Sequence, residues 1–157
     1  MTIEELLLAN DDELISSLDV YQQELVKSLI ENTNGNYNVA ADKWLSASPS
    51  NTFKFGGEKK LSSVFRDKVF EELEKFICGC DEGRYSKERD EIDGHVDTKK
   101  ETIISIMSAA IGGTIGVAGA YVAPIIVLLL LGIGKVVKNA WCETMKVKRA
   151  AETSTAE

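Results

Sequence analysis

Three cysteines, one histidine and one acidic run are where this sequence would be expected to do chemistry. Cys78-Gly79-Cys80 sets two thiols side by side, and Cys142 is remote in sequence. A structural zinc site needs a second ligand pair at suitable spacing, and none is present. The thiols therefore read as incidental. They make no closed disulfide framework, so a reducing compartment is expected. Cys142, beside an apolar stretch and basic residues, has a setting that suits lipid attachment. Asp90-Glu91-Ile92-Asp93-Gly94-His95-Val96-Asp97 has the composition of a calcium loop. Setting Gly94 at the loop's central glycine puts Arg89 and Lys100 at the first and last ligand positions, where carboxylates are required. His95 has acidic neighbours but no nucleophile or metal partner. No phosphate-binding loop, H-E-x-x-H or G-x-S-x-G occurs. No catalytic, cofactor or metal residue is assigned, and a non-enzymatic protein is expected.

Charge is unevenly spread over the 157 residues. The first 101 residues carry 13 cations against 22 anions. From residue 102 onward the cations are Lys135, Lys138, Lys146, Lys148 and Arg149, against Glu143, Glu152 and Glu157. A net charge of −7 argues against a general nucleic-acid binder, which needs a basic surface. Between Thr102 and Gly134 lie 33 residues with no ionisable side chain except Tyr121. As one helix that run would reach roughly 50 Å, too long for a bilayer core of about 30 Å. Pro124 lacks a backbone donor and disfavours helix at Ala123. The spacing predicts a helix over 102–120, a break near Tyr121–Ala123, and a second helix over 124–139 with Pro124 in its first turn.

Ser108, Gly112, Gly116 and Ala120 recur four apart, so one small-residue stripe is expected to pack helix against helix and drive self-association. Ile125 to Leu131 is apolar all round, which suits protein interior or lipid. Two such helices need cover on nearly every side, and the charged remainder looks short of it. Membrane insertion is therefore expected, as a full hairpin, a re-entrant hairpin or one tilted span kinked at Pro124. Burial against a partner or in an oligomer is the alternative. Lys99 and Lys100 flank one end and Lys135 and Lys138 the other, so a hairpin keeps both termini cytoplasmic. Trp141 and the basic tail suit the headgroup region of an anionic leaflet. The acidic opening Met-Thr-Ile-Glu-Glu does not read as a secretory signal.

The front of the chain reads as short helices. Thr2 and Glu5 form a capping box. Asp11 and Asp12 start a second helix. Asp19 caps a third with Tyr21, Leu25, Leu29 and Ile30 as its apolar stripe. Asn32 to Asn36 is turn chemistry, and Asn38 is the expected cap of a fourth helix with Val39, Ala41, Trp44 and Leu45 inward. Ser48-Pro49-Ser50-Asn51 stops it, and Phe53-Lys54-Phe55-Gly56-Gly57 suits a strand or extended loop. A long amphipathic helix over 58–77 follows, with Val64, Phe65, Val69, Leu73, Phe76 and Ile77 on its apolar side.

Gly35-Asn36-Tyr37-Asn38-Val39-Ala40-Ala41-Asp42-Lys43-Trp44-Leu45 resembles the last helix of ubiquitin-associated (UBA-like) domains. The likeness covers about residues 11–47. Leu18-Asp19-Val20-Tyr21 stands where those domains carry a Met-Gly-Phe/Tyr loop. The resemblance implies a three-helix interaction module, with Tyr21, Tyr37 and Trp44 as candidate partner contacts.

The expected organisation is all-α. It has a cytoplasmic helical head (1–77), a charged connector (78–101), a glycine-rich apolar hairpin (102–139) and a tail (140–157) that is basic, then disordered. The expected function is a toxin-like or defence-like effector whose hairpin oligomerises in the bilayer and permeabilises it under control of the head. The alternatives are a membrane-anchored adaptor and a soluble subunit with a buried hairpin.

Overall fold

The computed structural model describes residues 1–47, 59–79, 83–95 and 97–156. The predicted stop at Ser48–Asn51 and the extended segment at Phe53–Gly57 lie outside the described residues. Among the described residues there are nine helices and no strand. They are α1 (Ile3–Leu7), α2 (Asp11–Ile15), α3 (Val20–Asn32), α4 (Tyr37–Ala47), α5 (Lys59–Cys78), α6 (Ser86–Asp93), α7 (Lys100–Ile115), α8 (Gly119–Ile133) and α9 (Lys138–Ala156).

Side-chain caps define the first elements. Thr2 Oγ1 accepts from Glu5 N (3.1 Å), while Glu5 Oε1 accepts from Thr2 N (3.3 Å). The same reciprocal pair, Asn10 with Glu13, starts α2, so the cap is Asn10, one residue before the predicted acidic start. Asn36 Oδ1 accepts from Val39 N, so Asn36 and not Asn38 opens α4. It follows a turn in which Asn34 and Gly35 are left-handed.

The centre of the molecule is α8. Every residue from Val122 to Leu131 is buried. It packs against α7, α4, α5, α2 and α3. The shortage of cover expected from the sequence does not arise, because each surrounding helix turns one apolar stripe inward. Val69, Leu73, Phe76 and Ile77 do this on α5, and Ala40, Ala41 and Leu45 on α4. Residues of the head, the connector, the hairpin and the tail thus share one apolar core, from Ile3 to Met145. Three faces differ from the sequence pattern; on α4, Val39, expected inward, is exposed. On α3 the buried residues are Gln22 and Val26, while Tyr21 and Leu25 are exposed. On α5, Val64 is exposed.

The stretch read as a tail is the helix α9. Trp141 and Met145, four apart, bury against α5, and the Trp141 ring meets Phe70 edge-on at 6.2 Å. The connector is likewise built in. Ile92 is buried, Asp93 Oδ1 accepts from Ile3 N at the start of α1 (3.1 Å), and Arg89 Nη1 donates to the carbonyls of Lys75 and Phe76 at the end of α5.

Candidate functional site

The apolar hairpin and the groups that hold it are the candidate site. Helix α7 ends at Ile115 because Gly116 adopts φ +96°, donating back to the Gly112 carbonyl. The axes of α7 and α8 then differ by 112°. The break therefore lies at residues 116–118, not at Tyr121–Ala123. Pro124 sits inside α8, and α8 ends at Ile133, before the predicted end at 139. The small-residue stripe is split accordingly. Ser108 and Gly112 are buried on α7, Gly116 ends that helix, and Ala120 belongs to α8. What the small residues allow is a close crossing within the chain. A Cβ on Gly112 would lie 2.6 Å from the Val117 carbonyl oxygen, and one on Gly119 would lie 3.0 Å from the Ala109 Cα.

Pro124 survives inside a helix for a reason remote in sequence. With no N–H, it leaves the Ala120 carbonyl without its usual partner. Gln22 Nε2, from α3, donates to that oxygen at 2.9 Å. Gln22 is only 4% exposed. The next carbonyl, of Tyr121, accepts from Trp44 Nε1 of α4 at 3.1 Å, and the Tyr121 hydroxyl donates to the Leu45 carbonyl at 3.4 Å. The Trp44 and Tyr121 rings lie 6.1 Å apart. Three hydrogen bonds thus join the head to the first turns of α8.

A second polar cluster holds α7. Glu72 of α5, which reads as surface in the sequence, is fully buried. Its Oε1 accepts from the Tyr85 hydroxyl (2.7 Å) and from Arg84 Nη1 (3.2 Å), and Lys68 and Lys75 approach Oε2 at 3.5 and 3.4 Å. The Tyr85 oxygen also lies 2.9 Å from Thr114 Oγ1 on α7. Burial pushes the Glu72 carboxyl up, but Tyr85, Lys75 and Arg84 together outweigh it and hold the group below its ordinary value. Burial, reinforced by the neighbouring carboxylate, pushes the Tyr85 phenol up to about 12, although Thr114 acts the other way. Tyr85 is therefore a standing donor at neutral pH.

The far end of the hairpin is fixed covalently. Cys78 at the end of α5 is disulfide-bonded to Cys142 of α9, with the Cα atoms 5.7 Å apart. This corrects the reading of incidental thiols, and Cys142 has no free thiol for lipid attachment. The pairing was not visible in sequence because it spans 64 residues and joins two elements that meet only in the folded chain. Arg149 Nε adds a 2.7 Å ion pair with Glu74 Oε2.

The remaining predicted residues are dispersed. Trp141 is 9% exposed in the core, not at a free interface. Lys99 and Lys135 are exposed, with Lys100 and Lys138 half-exposed, at the two ends of the hairpin. Of the three candidate partner contacts, Trp44 is engaged inside the fold, Tyr37 is half-buried beside Gly132, and Tyr21 is 60% exposed. Among the described residues no cluster of three or more His, Cys, Asp or Glu side chains could hold a metal. The chain gives no significant match to protein-family models, curated proteins or solved structures.

Proposed function

We propose that the chain is a non-enzymatic, membrane-active effector that stores its apolar hairpin in a closed form and transfers it to lipid when the outer helices part. The observation that carries this reading is the placement of α8. The most apolar segment is central, wrapped by amphipathic helices, and joined to the head through Gln22, Trp44 and Tyr121. No single helix among the described residues is long and apolar enough to cross a membrane, but α7 and α8 together meet that test as a bent pair. Apolar side chains gain little by choosing between a protein interior and hydrocarbon. The balance between stored and inserted forms then rests on the polar contacts, which lipid cannot replace. In the inserted form Lys99, Lys100, Lys135 and Lys138 stay on the same face of the bilayer as both termini, and the released small residues pair between copies. The disulfide weighs against a reducing cytoplasm. Thiol alkylation in intact cells, before and after reduction, decides that point.

The test is flotation of the purified chain with anionic vesicles, followed by carbonate extraction and dye release. Trp44→Phe combined with Gln22→Leu should raise carbonate-resistant binding and leakage over wild type. Recovery of every variant in the buffer fraction, with vesicles intact, would overturn the reading.

A second reading is favoured by the enclosure of α8 and by the exposed Val20, Tyr21 and Leu25 on α3. Here the hairpin is only a core, and the UBA-like segment recruits a protein partner. It requires a monomer that stays soluble without detergent even when the Gln22 and Trp44 contacts are removed.

A further inference from the structure

Helix α9 is attached to the rest of the fold by a glycine bend and a covalent bond. It leaves α8 at Gly134, whose φ of +80° with ψ of −173° is a backbone conformation essentially confined to glycine. Residues 134–137 then carry the chain to Lys138 outside any helix. Beyond that bend α9 packs mainly on α5. Trp141 and Met145 supply its buried face, and the Arg149–Glu74 pair holds its far part. Arg149 is 42% exposed, and an ion pair so open to water holds little. The principal neighbours of α8 are α7, α4, α5, α2 and α3, so the central helix keeps its main cover without α9. The strongest fastening of α9 is therefore the Cys78–Cys142 bond. Both cysteines are partly exposed, at the rim of the core and not at its centre. Cations gather on both sides of the bond. The Arg89 guanidinium packs beside Gly79, the residue after Cys78, where a Cβ would lie 3.2 Å from Arg89 Cζ. Lys138 and Lys146 stand four positions to either side of Cys142, opposed by Glu143. A net positive surrounding favours a departing thiolate.

We propose that Cys78–Cys142 is a redox latch on α9: a dithiol reductant opens the bond, and α9 swings off α5 about Gly134 while α1 to α8 stay folded. One thiolate of the reductant attacks a sulfur of the bond, and the other cysteine leaves as a thiolate and takes up a proton. The second thiolate of the reductant then attacks its own mixed disulfide, which frees the first cysteine. One disulfide forms for the one broken, two electrons pass to the chain, and two protons end on Cys78 and Cys142. The latch stands independently of membrane insertion. Should the hairpin be stored for lipid, the same opening removes the tether beyond the C-terminal end of α8. The closed form then belongs to an oxidising compartment and the loosened form to a reducing one.

The probe is dithiothreitol, applied without denaturant to the full chain carrying Cys80→Ser. Cys80 lies outside the described residues, and replacing it leaves a single pair. Alkylation followed by mass measurement counts the thiols released, while amide spectra and limited trypsin digestion report the structure. Complete reduction is expected to move the amide signals of α9 from their native positions and to narrow them. The signals of α1 to α4, α7 and α8 should keep theirs. New tryptic cuts are expected after Lys138, Lys146, Lys148 and Arg149, at least tenfold faster than in the oxidised chain. Cys142→Ser in the same background never forms the bond and should match the reduced chain without reagent. Arg149→Gln should leave α9 docked for as long as the bond is oxidised. Three results would each overturn the proposal. The first is a bond that yields only in denaturant. The second is an α9 whose signals and tryptic cuts are unchanged after full reduction. The third is loss of native signals in every helix together, which would make the bond a general brace of the fold.

Discussion

The role assigned to Gln22 can be isolated by a double-mutant cycle with Pro124. Gln22→Leu keeps the side-chain volume and removes the donor that reaches Ala120 O at 2.9 Å. In the wild-type background that carbonyl has no N–H four residues ahead, since position 124 is proline. The oxygen is partly buried, so its loss of a partner should cost about 1–2 kcal/mol, toward the low end of the range for an orphaned group. For a chain of this length that is a fall of roughly 3–6 °C in Tm. In a Pro124→Ala background the restored amide bonds the same carbonyl along the helix. The Gln22→Leu cost should then shrink to about 0.5 kcal/mol or less, a coupling of about 1 kcal/mol. Urea unfolding followed by circular dichroism, with the disulfide intact, measures all four corners. An equal cost of Gln22→Leu in both backgrounds would show that Gln22 does not serve the gap left by proline.

Three further predictions concern the hairpin and its anchors. Gly112→Ala should cost about 1–3 kcal/mol in the same assay, because its Cβ meets the Val117 carbonyl at 2.6 Å, whereas Gly113→Ala has nothing within 4 Å and should gain up to about 1 kcal/mol. Equal effects would remove the close crossing. Cys78→Ser opens a loop of 64 residues and should lower stability by about 4 kcal/mol on the chain-entropy estimate, and non-reducing peptide mapping should recover Cys78 linked to Cys142. Glu72 has a depressed value in the folded chain, so its contribution is present above the ordinary value of 4.5 and is lost as pH falls through the folded value. Asp42 is raised by burial in spite of Arg66 and slopes the other way, so the observable is the difference from Glu72→Gln, whose loss of stability on acidification should be shallower than that of wild type.

Elements whose cause is local were legible in the sequence. The Thr2–Glu5 box and the inward Val69, Leu73, Phe76 and Ile77 of α5 each depend on residues within a few positions of one another, and both stand in the structure, with Val64 the exception on α5. The misplaced features share a different cause. Pro124 breaks a helix only if nothing replaces its donor, and the replacement comes from 98 positions away in the case of Ala120. Gln22 and Glu72 look like surface residues until Ala120 and Tyr85 are brought to them, so the phase of α3 and the burial of Glu72 on α5 were both misread. Trp141 was assigned to a membrane interface because tryptophan among basic residues suits that setting, and the surface it covers in the fold belongs to α5.

These contacts also order the way the fold should open. The Cys78–Cys142 bond and the Arg149–Glu74 pair tie α9 to α5, so the segment following α8 stays tethered. The contact of Tyr85 with Thr114, backed by buried Glu72, holds α7 near α5 and α6. Across the remaining seam, α3 and α4 hold α8 through Gln22, Trp44 and Tyr121 alone among side-chain hydrogen bonds of the described residues. Breaking that seam costs little polar energy, and its apolar surface is recovered if lipid covers it. Hydrogen exchange on the intact chain should therefore show the amides of α3, α4 and the first turns of α8 opening at lower free energy than those of α5 and α9. Trp44→Phe should speed the first group by about five- to tenfold, the equivalent of one hydrogen bond of about 1 kcal/mol, and leave the second group unchanged. Uniform acceleration of all helices would mean that the chain opens only as a whole, and storage of a releasable hairpin would have no structural basis.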